Sequence, residues 1–278
     1  MNISIGIVGL GYVGNAVREG FSDKYDIFSY DINGNGTEKD LESVVRKADI
    51  IFVCVPTPMK KNGSCHIDIL SNVVNDINNF NIYKDVVIKS TIPPKTSDFL
   101  QSKNSNINII FNPEFMTEAN FYNDFMGQKR IILAGQNFEK VEQLYSFSFP
   151  KAQIVKIPFR EAEIIKYFSN TFLATKVSFA NEIYTLCEKL EIDYNQVVDA
   201  LVLDERIGNT HFSVPGPDGK RGFGGSCFPK DLAALIKIFE DNNLESPILK
   251  SVWERNNEID RTEQDWKELE GRAVVKEV

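Results

Sequence analysis

The sequence predicts an α/β protein that begins with a doubly wound parallel sheet and continues as a helical domain. Seven short runs in the first half are rich in Ile, Val and Phe, as strands buried on both faces are. Polar or amphipathic segments long enough for crossover helices separate most of these runs, and repeated β-then-α units build parallel sheets. From about residue 160 the apolar residues follow helical spacing instead.

The elements are predicted in the following order. Strands are expected at residues 3–8, 26–30, 50–53, 86–88, 107–111, 130–133 and 154–157, with crossover helices at 14–21, 41–47, 67–80 and 96–101. Residues 161–190 contain neither Gly nor Pro, and a helix of that length spans about 45 Å, so we expect it to connect two domains. Further helices are expected at 194–202, 232–241 and 248–259. These elements predict a first domain at residues 1–159 and a helical second domain, expected to mediate dimerisation, at residues 160–278.

Composition excludes several classes of function. The chain has 278 residues and a net charge of −8, without a basic run, so we predict that it binds neither nucleic acid nor a membrane surface. No segment approaches 18 apolar residues and the N-terminus lacks the basic region of a signal peptide, so we expect a cytoplasmic protein. Four scattered cysteines and two histidines predict no metal site.

Residues 9–14 read G-x-G-x-x-G between the first predicted strand and the first helix, which is typical of a Rossmann-like dinucleotide site. Gly9 would permit the tight turn, Gly11 would let the backbone approach a pyrophosphate, and Gly14 would allow close helix packing. Asp31 ends the next strand, where it would bind the ribose hydroxyls and repel a 2′-phosphate, so NAD is predicted over NADP. Two further loops follow the third and fourth strands, at the edge where such sheets bind ligands. The predicted cofactor-binding residues are Gly9, Gly11, Tyr12, Val13, Gly14, Asp31, Val55, Pro56, Thr57 and Thr91.

Residues 222–231, G-F-G-G-S-C-F-P-K-D, form the most informative segment. Its glycines allow the backbone to press against a ligand, and Cys227 stands directly before a predicted helix. A thiol at a helix N-terminus, close to Lys230, is expected to be more acidic and more nucleophilic than an ordinary cysteine. Cys227 is therefore the predicted nucleophile, whereas Cys187, on an apolar helix, is predicted to be a packing residue.

This segment resembles the nucleophile signature of the UDP-glucose/GDP-mannose dehydrogenase family, and the resemblance extends from Gly9 to about Leu235. Residues 112–118, N-P-E-F-M-T-E, are similar to the Pro-Glu-Phe motif of that family. Lys166 and Asn170 match its Lys-x-x-x-Asn, and this spacing places both on one helix face. Members of the family continue into a third α/β domain, so we expect a short form that lacks it.

The resemblance implies an NAD-dependent, four-electron oxidation of the C6 alcohol of a nucleotide sugar, with UDP-glucose as the expected UDP-sugar. Cys227 would hold the aldehyde as a thiohemiacetal and then a thioester. Lys166, Asp231 or a water would remove the alcohol proton, and Glu118 would guide the hydrolytic water. The implied catalytic residues are Cys227, Lys166, Asn170, Asp231, Glu118 and Thr91, with Thr91 and Glu118 also near the cofactor. The implied substrate-binding residues are Glu114, Phe115, Met116, Lys166, Asn170, Arg206, Lys220 and Gly224.

Two other functions remain open. A β-hydroxyacid dehydrogenase shares the overall plan and a Lys/Asn helix, but it needs one hydride transfer and no cysteine. An inactive NAD-binding regulatory partner is the second alternative. The long helix and Arg206, which resembles an arginine that reaches the neighbouring subunit's substrate, predict a homodimer. Lys220 and Arg221 are expected to reach the pyrophosphate of the substrate.

Overall fold

A computed structural model describes residues 3–276, and these fall into two compact units. The first unit comprises residues 3–57 and 66–166, and the second comprises residues 58–65 and 167–276. The predicted boundary after residue 159 lies seven residues before the end of the first unit, and Ala162 is fully buried in the core of that unit. The sequence analysis also assigned residues 58–65 to the first domain. They belong to the second unit because Met59 exchanges backbone hydrogen bonds with Ala273 and Val275.

The first unit is built on a seven-stranded sheet in the order β2-β1-β3-β4-β5-β6-β7. All seven predicted strands are confirmed, with small differences at their ends. Both domain-level predictions, an α/β Rossmann-like fold and a helical second part, are confirmed as well. The strands are β1 (Ser4–Val8), β2 (Asp26–Tyr30), β3 (Ile50–Val53), β4 (Lys84–Ile88), β5 (Ile107–Phe111), β6 (Arg130–Gly135) and β7 (Gln153–Ile157).

The sheet is parallel as predicted except at one junction. β1 to β5 are parallel and β6 pairs in parallel with β7, but β5 and β6 are antiparallel, with Phe111 opposite Ala134. A strand that pairs in parallel with the preceding strand needs a crossover that carries the chain back to the edge of the sheet where the preceding strand began. The segment after β5 instead carries residues 112–118 and a short helix, and β6 then runs back beside β5.

Alternating side chains of the central strands pack on opposite faces of this sheet. Ile51 and Val53 belong to one buried cluster, whereas Ile50 and Phe52 belong to the other. Such two-sided burial is the physical reason for the near-continuous apolar runs in the sequence.

Ten α-helices are described within residues 3–276, and the long one is confirmed at Phe159–Lys189. The first unit contains two helices that are absent from the predicted elements. Phe121–Met126 has only six residues, whereas Glu139–Ser148 has buried residues at helical spacing. The predicted helix 248–259 ends as a five-residue π-turn, Asn256–Asp260. The helices are α1 (Tyr12–Phe21), α2 (Leu41–Lys47), α3 (Asp68–Asn79), α4 (Thr96–Lys103), α5 (Phe121–Met126), α6 (Glu139–Ser148), α7 (Phe159–Lys189), α8 (Tyr194–Leu201), α9 (Phe228–Asp241) and α10 (Pro247–Arg255).

Glu163, which is completely buried in the first turns of α7, caps the N-terminus of α4. Its carboxylate accepts hydrogen bonds from the backbone N–H groups of Lys95 (2.7 Å) and Ser97 (2.8 Å). Burial raises the pKa of Glu163 above its ordinary value, and the two N–H donors only partly offset this effect. The carboxylate therefore ties α4 to the part of α7 that belongs to the first unit.

We expect Glu163→Ala to lower the free energy of unfolding by about 1–3 kcal/mol, because two N–H groups lose their buried acceptor. Urea denaturation measures this difference. Exposed Glu161 on the same helix turn gives the matched control, and Glu161→Ala should change stability by less than about 0.5 kcal/mol. Equal effects of the two substitutions would contradict the capping role.

Candidate active site

The glycine turn after β1 has the geometry that its sequence predicts. Gly9 has a φ of +91°, and an added Cβ there would lie 2.8 Å from the backbone oxygen of Cys54. At Gly14 it would lie 1.9 Å from the oxygen of Gly9, so both positions require glycine. Gly11 differs, because an added Cβ would meet no described atom within 4 Å. A ligand can therefore approach the backbone of Gly11 at the N-terminus of α1.

Asp31 lies directly against this turn at the carboxyl end of β2. Its Oδ2 accepts a hydrogen bond from the backbone N–H of Leu10 (2.7 Å), and Oδ1 accepts one from Asn33 (2.9 Å). The half-buried carboxylate still has acceptor capacity, because an ionised carboxylate has about four lone-pair sites. It can thus brace the turn and also bind the hydroxyls of a ribose.

The loops after β3 and β4 are joined by side chain–backbone hydrogen bonds at the same edge of the sheet. The hydroxyl of Thr57 donates to the backbone oxygen of Thr91 (2.7 Å), and that of Ser90 donates to the oxygen of Val55 (2.6 Å). The order β2-β1-β3 makes the gap between β1 and β3 the topological switch point of the sheet. The predicted cofactor residues from residue 9 to residue 91 thus lie where doubly wound sheets bind ligands.

Glu114 and Lys166 form a buried ion pair in the first unit, with Lys166 Nζ 2.7 Å from Glu114 Oε1. Glu114 Oε2 also accepts a hydrogen bond from the backbone N–H of Met116 (2.7 Å). Burial alone would raise the pKa of Glu114, but the charge and hydrogen bond of Lys166 outweigh it, so the pKa is lowered. The aromatic ring of Phe115 lies between two cations, 5.5 Å from Lys166 Nζ and 4.4 Å from the guanidinium carbon of Arg130. The lowered pKa favours the ionised carboxylate of Glu114.

Lys89 is a buried cation of the first unit that the sequence analysis did not single out. Only 3% of the residue is exposed, and its Nζ donates to Asn112 Oδ1 (2.9 Å), which also accepts from the hydroxyl of Tyr145 (2.5 Å). Burial lowers the pKa of Lys89 to about 8, even though Cys54 and Glu114 favour the charged form. No local sequence pattern distinguishes this lysine from a surface one, because its burial depends on three strands and a helix.

This lowered pKa predicts a pH dependence of stability. Between about pH 8 and the ordinary lysine value, the unfolded state binds more protons at this position than the folded state does, so stability rises with pH. Across that interval the wild type should gain stability relative to Lys89→Met, with a slope of at most about 1.4 kcal/mol per pH unit. Urea denaturation of both proteins at several pH values measures the difference. Parallel stability curves would show that Lys89 titrates normally.

In the second unit, Cys227 occupies the position immediately before α9, and Pro229 lies in the first turn of that helix. Asp231 is buried on the same turn, and its Oδ2 accepts a hydrogen bond from Asn170 Nδ2 (2.6 Å). Its Oδ1 accepts one from Lys230. The structure thus places the predicted Asn170 and Asp231, together with Lys230, in one hydrogen-bonded group at the first turn of the helix that Cys227 precedes.

Lys230 remains charged in this arrangement. Burial alone would lower its pKa, but the charges of Asp231 and Cys227 outweigh burial and raise the pKa above its ordinary value. A lysine charge close to a thiol at a helix N-terminus favours the thiolate. The hydroxyl of Ser226 lies 3.9 Å from Cys227 Sγ. The second unit therefore places a lysine charge and a hydroxyl close to Cys227.

The remaining predicted residues are more exposed. Glu118 begins a short 3₁₀ turn after the Pro-Glu-Phe segment and is half-buried. The side chain of Arg206 is 88% exposed and pairs with Asp204. Lys220 pairs with Glu263 (3.2 Å) and Asp265 (2.8 Å), so reaching a phosphate would require an exchange of partners. Arg221 is likewise paired, with Glu188.

The fold and the turn define this protein as a Rossmann-type dinucleotide-binding protein, and the residues fit NAD. The backbone at Gly11 is open to a pyrophosphate and Asp31 can bind a ribose. Comparison with known families then matches residues 34–147 to the NAD binding domain of the UDP-glucose/GDP-mannose dehydrogenase family and residues 160–258 to its central domain. Together these matches cover more than half of the chain. The chain belongs to this family, and its cofactor is NAD.

Individual relatives support the same assignment. The UDP-glucose 6-dehydrogenase of Rickettsia bellii is 38% identical over 224 residues, which cover 77% of this chain and 50% of the relative. The chain thus spans about half the length of this relative.

Two solved structures show how far the likeness in fold extends. A UDP-glucose dehydrogenase from Pyrobaculum islandicum superposes with a TM-score of 0.82 at 29% identity, covering 92% of this chain and 68% of that one. A 3-hydroxyisobutyrate dehydrogenase from Mycobacterium tuberculosis superposes with a TM-score of 0.72 at 16% identity, covering 91% of this chain and 92% of that one. The second likeness concerns the fold alone.

Within residues 3–276, no helix is both long and apolar enough to cross a membrane. Over the same part of the chain, His, Cys, Asp and Glu side chains form no group of three that could hold a metal ion.

Proposed function

We propose that this chain oxidises the C6 alcohol of a UDP-sugar, with UDP-glucose as the expected substrate, to the carboxylate through a covalent intermediate on Cys227. The observation that supports this proposal is the position of Cys227 at the start of α9, beside the buried Lys230–Asp231 pair. The first unit carries the Glu114–Lys166 pair and the cofactor turn. When bound, NAD supplies the hydride acceptor for each of two oxidations.

The proposed chemistry uses the side chains as follows. Lys166, Asp231 or a water takes the proton of the alcohol in the first two-electron oxidation, which gives the aldehyde. The thiolate of Cys227 adds to the aldehyde carbon and forms a C–S bond, and the oxygen takes up a proton as the thiohemiacetal forms. A second two-electron oxidation, again with loss of a proton, gives the thioester. Water guided by Glu118 then breaks the C–S bond, releasing the carboxylate and restoring the thiol.

Electrostatics support the polar groups in these roles. Lys166 is buried beside Glu114, and Asn170 presents an amide next to Asp231. We propose that Lys166, Asn170 and Thr91, directly or through water, stabilise the negative oxygen that develops in each step. Donors that are fixed before the reaction stabilise such charge most effectively.

The stoichiometry of the reaction tests this proposal against a single-step β-hydroxyacid dehydrogenase. Purified protein incubated with UDP-glucose and excess NAD should produce two NADH and one UDP-glucuronate per UDP-glucose consumed. One NADH per substrate without an acid product would contradict the covalent second step. NAD binding without any turnover of UDP-sugars would favour the regulatory alternative.

We also propose that the chain forms a homodimer through one face of α7. Spacings of four and seven residues place several large apolar residues on this face, although the second unit leaves them exposed. Apolar patches of this kind mark protein interfaces. Their exposed fractions run from 53% to 66% at Phe168, Phe172, Phe179 and Leu186.

We expect the wild type to be a dimer in light scattering and Phe172→Glu to be a monomer, because the new carboxylate would be buried unpaired in the interface. Phe99→Glu gives a matched control, since Phe99 is 52% exposed on α4 of the first unit.

Arg206→Ala should weaken UDP-glucose binding without changing NAD affinity, if the arginine reaches the substrate of its neighbour. A fully active monomeric wild type would refute this proposal.

A further inference from the structure

The π-turn Asn256–Asp260, which follows α10, begins at one buried polar residue, Asn256, and leads directly into another, Arg261. The backbone N–H of Arg261 donates to the oxygen of Asn256 (2.8 Å), which is the i→i+5 hydrogen bond of a π-helix. Asn256 is completely buried and Arg261 is 3% exposed. Such turns are energetically unfavourable as helix continuations and occur frequently at functional sites. The sequence analysis assigned no role to either residue.

Asn256 holds the backbone of the glycine loop at Phe223. Its Oδ1 accepts a hydrogen bond from the N–H of Phe223 (2.8 Å), and its Nδ2 donates to the oxygen of the same residue (3.0 Å). The N–H of Gly222 donates to Asn181 Oδ1 on α7 (3.2 Å). An added Cβ at Gly222 would lie 2.4 Å from Asn256 Oδ1, so this close approach requires glycine. Buried amides therefore fix both polar groups of Phe223 and the N–H of Gly222.

Arg261 packs on the next part of the loop. An added Cβ at Gly224 would lie 2.6 Å from its guanidinium carbon, which shows that the guanidinium lies directly against the Gly224 backbone. Two carboxylates hold the guanidinium there: Asp218 Oδ2 lies 2.6 Å from Nη2, and Asp265 bonds to Nε (2.8 Å) and Nη2 (2.7 Å). Arg261 thus ties the chain before the glycine loop to the loop itself.

We propose that Asn256 and Arg261 are positioning residues for Cys227. They hold residues 222–224 from one side, and only Gly225 and Ser226 separate this clamp from the thiol at the start of α9. The clamp therefore restricts the direction in which Cys227 leaves the loop, and a displacement of about 1 Å at a reacting atom can cost roughly 10²-fold in rate. This inference rests on the proposed role of Cys227 as the nucleophile.

Two conservative variants test the clamp. Asn256→Asp keeps the acceptor for Phe223 N–H but replaces the donor to Phe223 O with a carboxylate oxygen. Arg261→Lys keeps the charge but lacks the planar guanidinium group that donates to Asp218 and Asp265 at the same time. The matched control is Glu258→Gln, at an exposed position of the same π-turn.

The measurement is the rate at which iodoacetamide alkylates Cys227, followed by mass spectrometry of its peptide across a pH series, together with kcat and KM. Both variants should change the alkylation rate by about tenfold or more and lower kcat by roughly 10- to 100-fold, with KM for NAD unchanged. Glu258→Gln should match the wild type in every measurement. Unchanged alkylation and unchanged kcat in folded variants would overturn the proposal.

Alkylation needs no substrate, so this readout separates the two proposals. If the wild type has no dehydrogenase activity, the proposed function is contradicted. The alkylation rates of the wild type and the variants would still show whether Asn256 and Arg261 position Cys227. If a variant fails to fold, amide hydrogen exchange of the wild type decides the matter. The N–H groups of residues 222 and 223 should exchange as slowly as those of α9, and rapid exchange would show that no clamp exists.

Discussion

Cys227→Ala is expected to abolish UDP-glucuronate formation, with a loss of roughly a thousandfold or more, because the thiol proposed to hold the aldehyde as a thiohemiacetal for the second oxidation is gone. At most one NADH per UDP-glucose should form, with the aldehyde as its product. NADH absorbance and chromatography of the nucleotide sugars measure both quantities. NAD affinity should be unchanged, because the cofactor turn lies in the first unit.

Cys187→Ala gives the control for this result. Cys187 is 5% exposed in a small apolar cluster of the second unit with Ala180 and Tyr194. Its substitution should lower stability slightly and leave the acid product intact. Undiminished UDP-glucuronate formation by the Cys227→Ala variant would contradict the covalent mechanism.

Lys166→Met is expected to have the second-largest effect. It leaves Glu114 buried without its cation, and removing one partner of a buried pair costs about 3–5 kcal/mol. Loss of the proposed acid–base and oxyanion roles should lower kcat by about 10²- to 10⁴-fold. The pKa of Glu114 should rise, because the charge that holds it down is gone.

Two further variants separate stability from catalysis at this position. Lys166→Arg can retain the ion pair with Glu114, so it should recover most of the stability but not the rate, because the guanidinium does not exchange a proton. Lys189→Met, at the exposed end of the same helix, should resemble the wild type. A Lys166→Met protein with an unaltered rate would contradict the assigned role, whatever its stability.

The strands could be predicted because each central strand is covered on both faces. Ile50–Val53 is buried at every residue, so its sequence is apolar without interruption. The glycine turn could be predicted because its constraint is local: Gly14 must lie against the oxygen of Gly9, five residues away. The reversal at β6 could not, because a strand's sequence carries no direction relative to its neighbour.

The sequence by itself determined the α/β class, the dinucleotide turn and the segment that carries Cys227, because each depends on residues close together in the chain. Only the tertiary structure decided which polar side chains are buried together. Glu114 meets Lys166 across 52 positions and Asn170 meets Asp231 across 61. The lowered pKa of Lys89 and the clamp of Asn256 and Arg261 on the glycine loop likewise depend on long-range contacts. A polar residue has the same local sequence pattern whether it faces solvent or the interior, and only the packing of distant elements determines the difference.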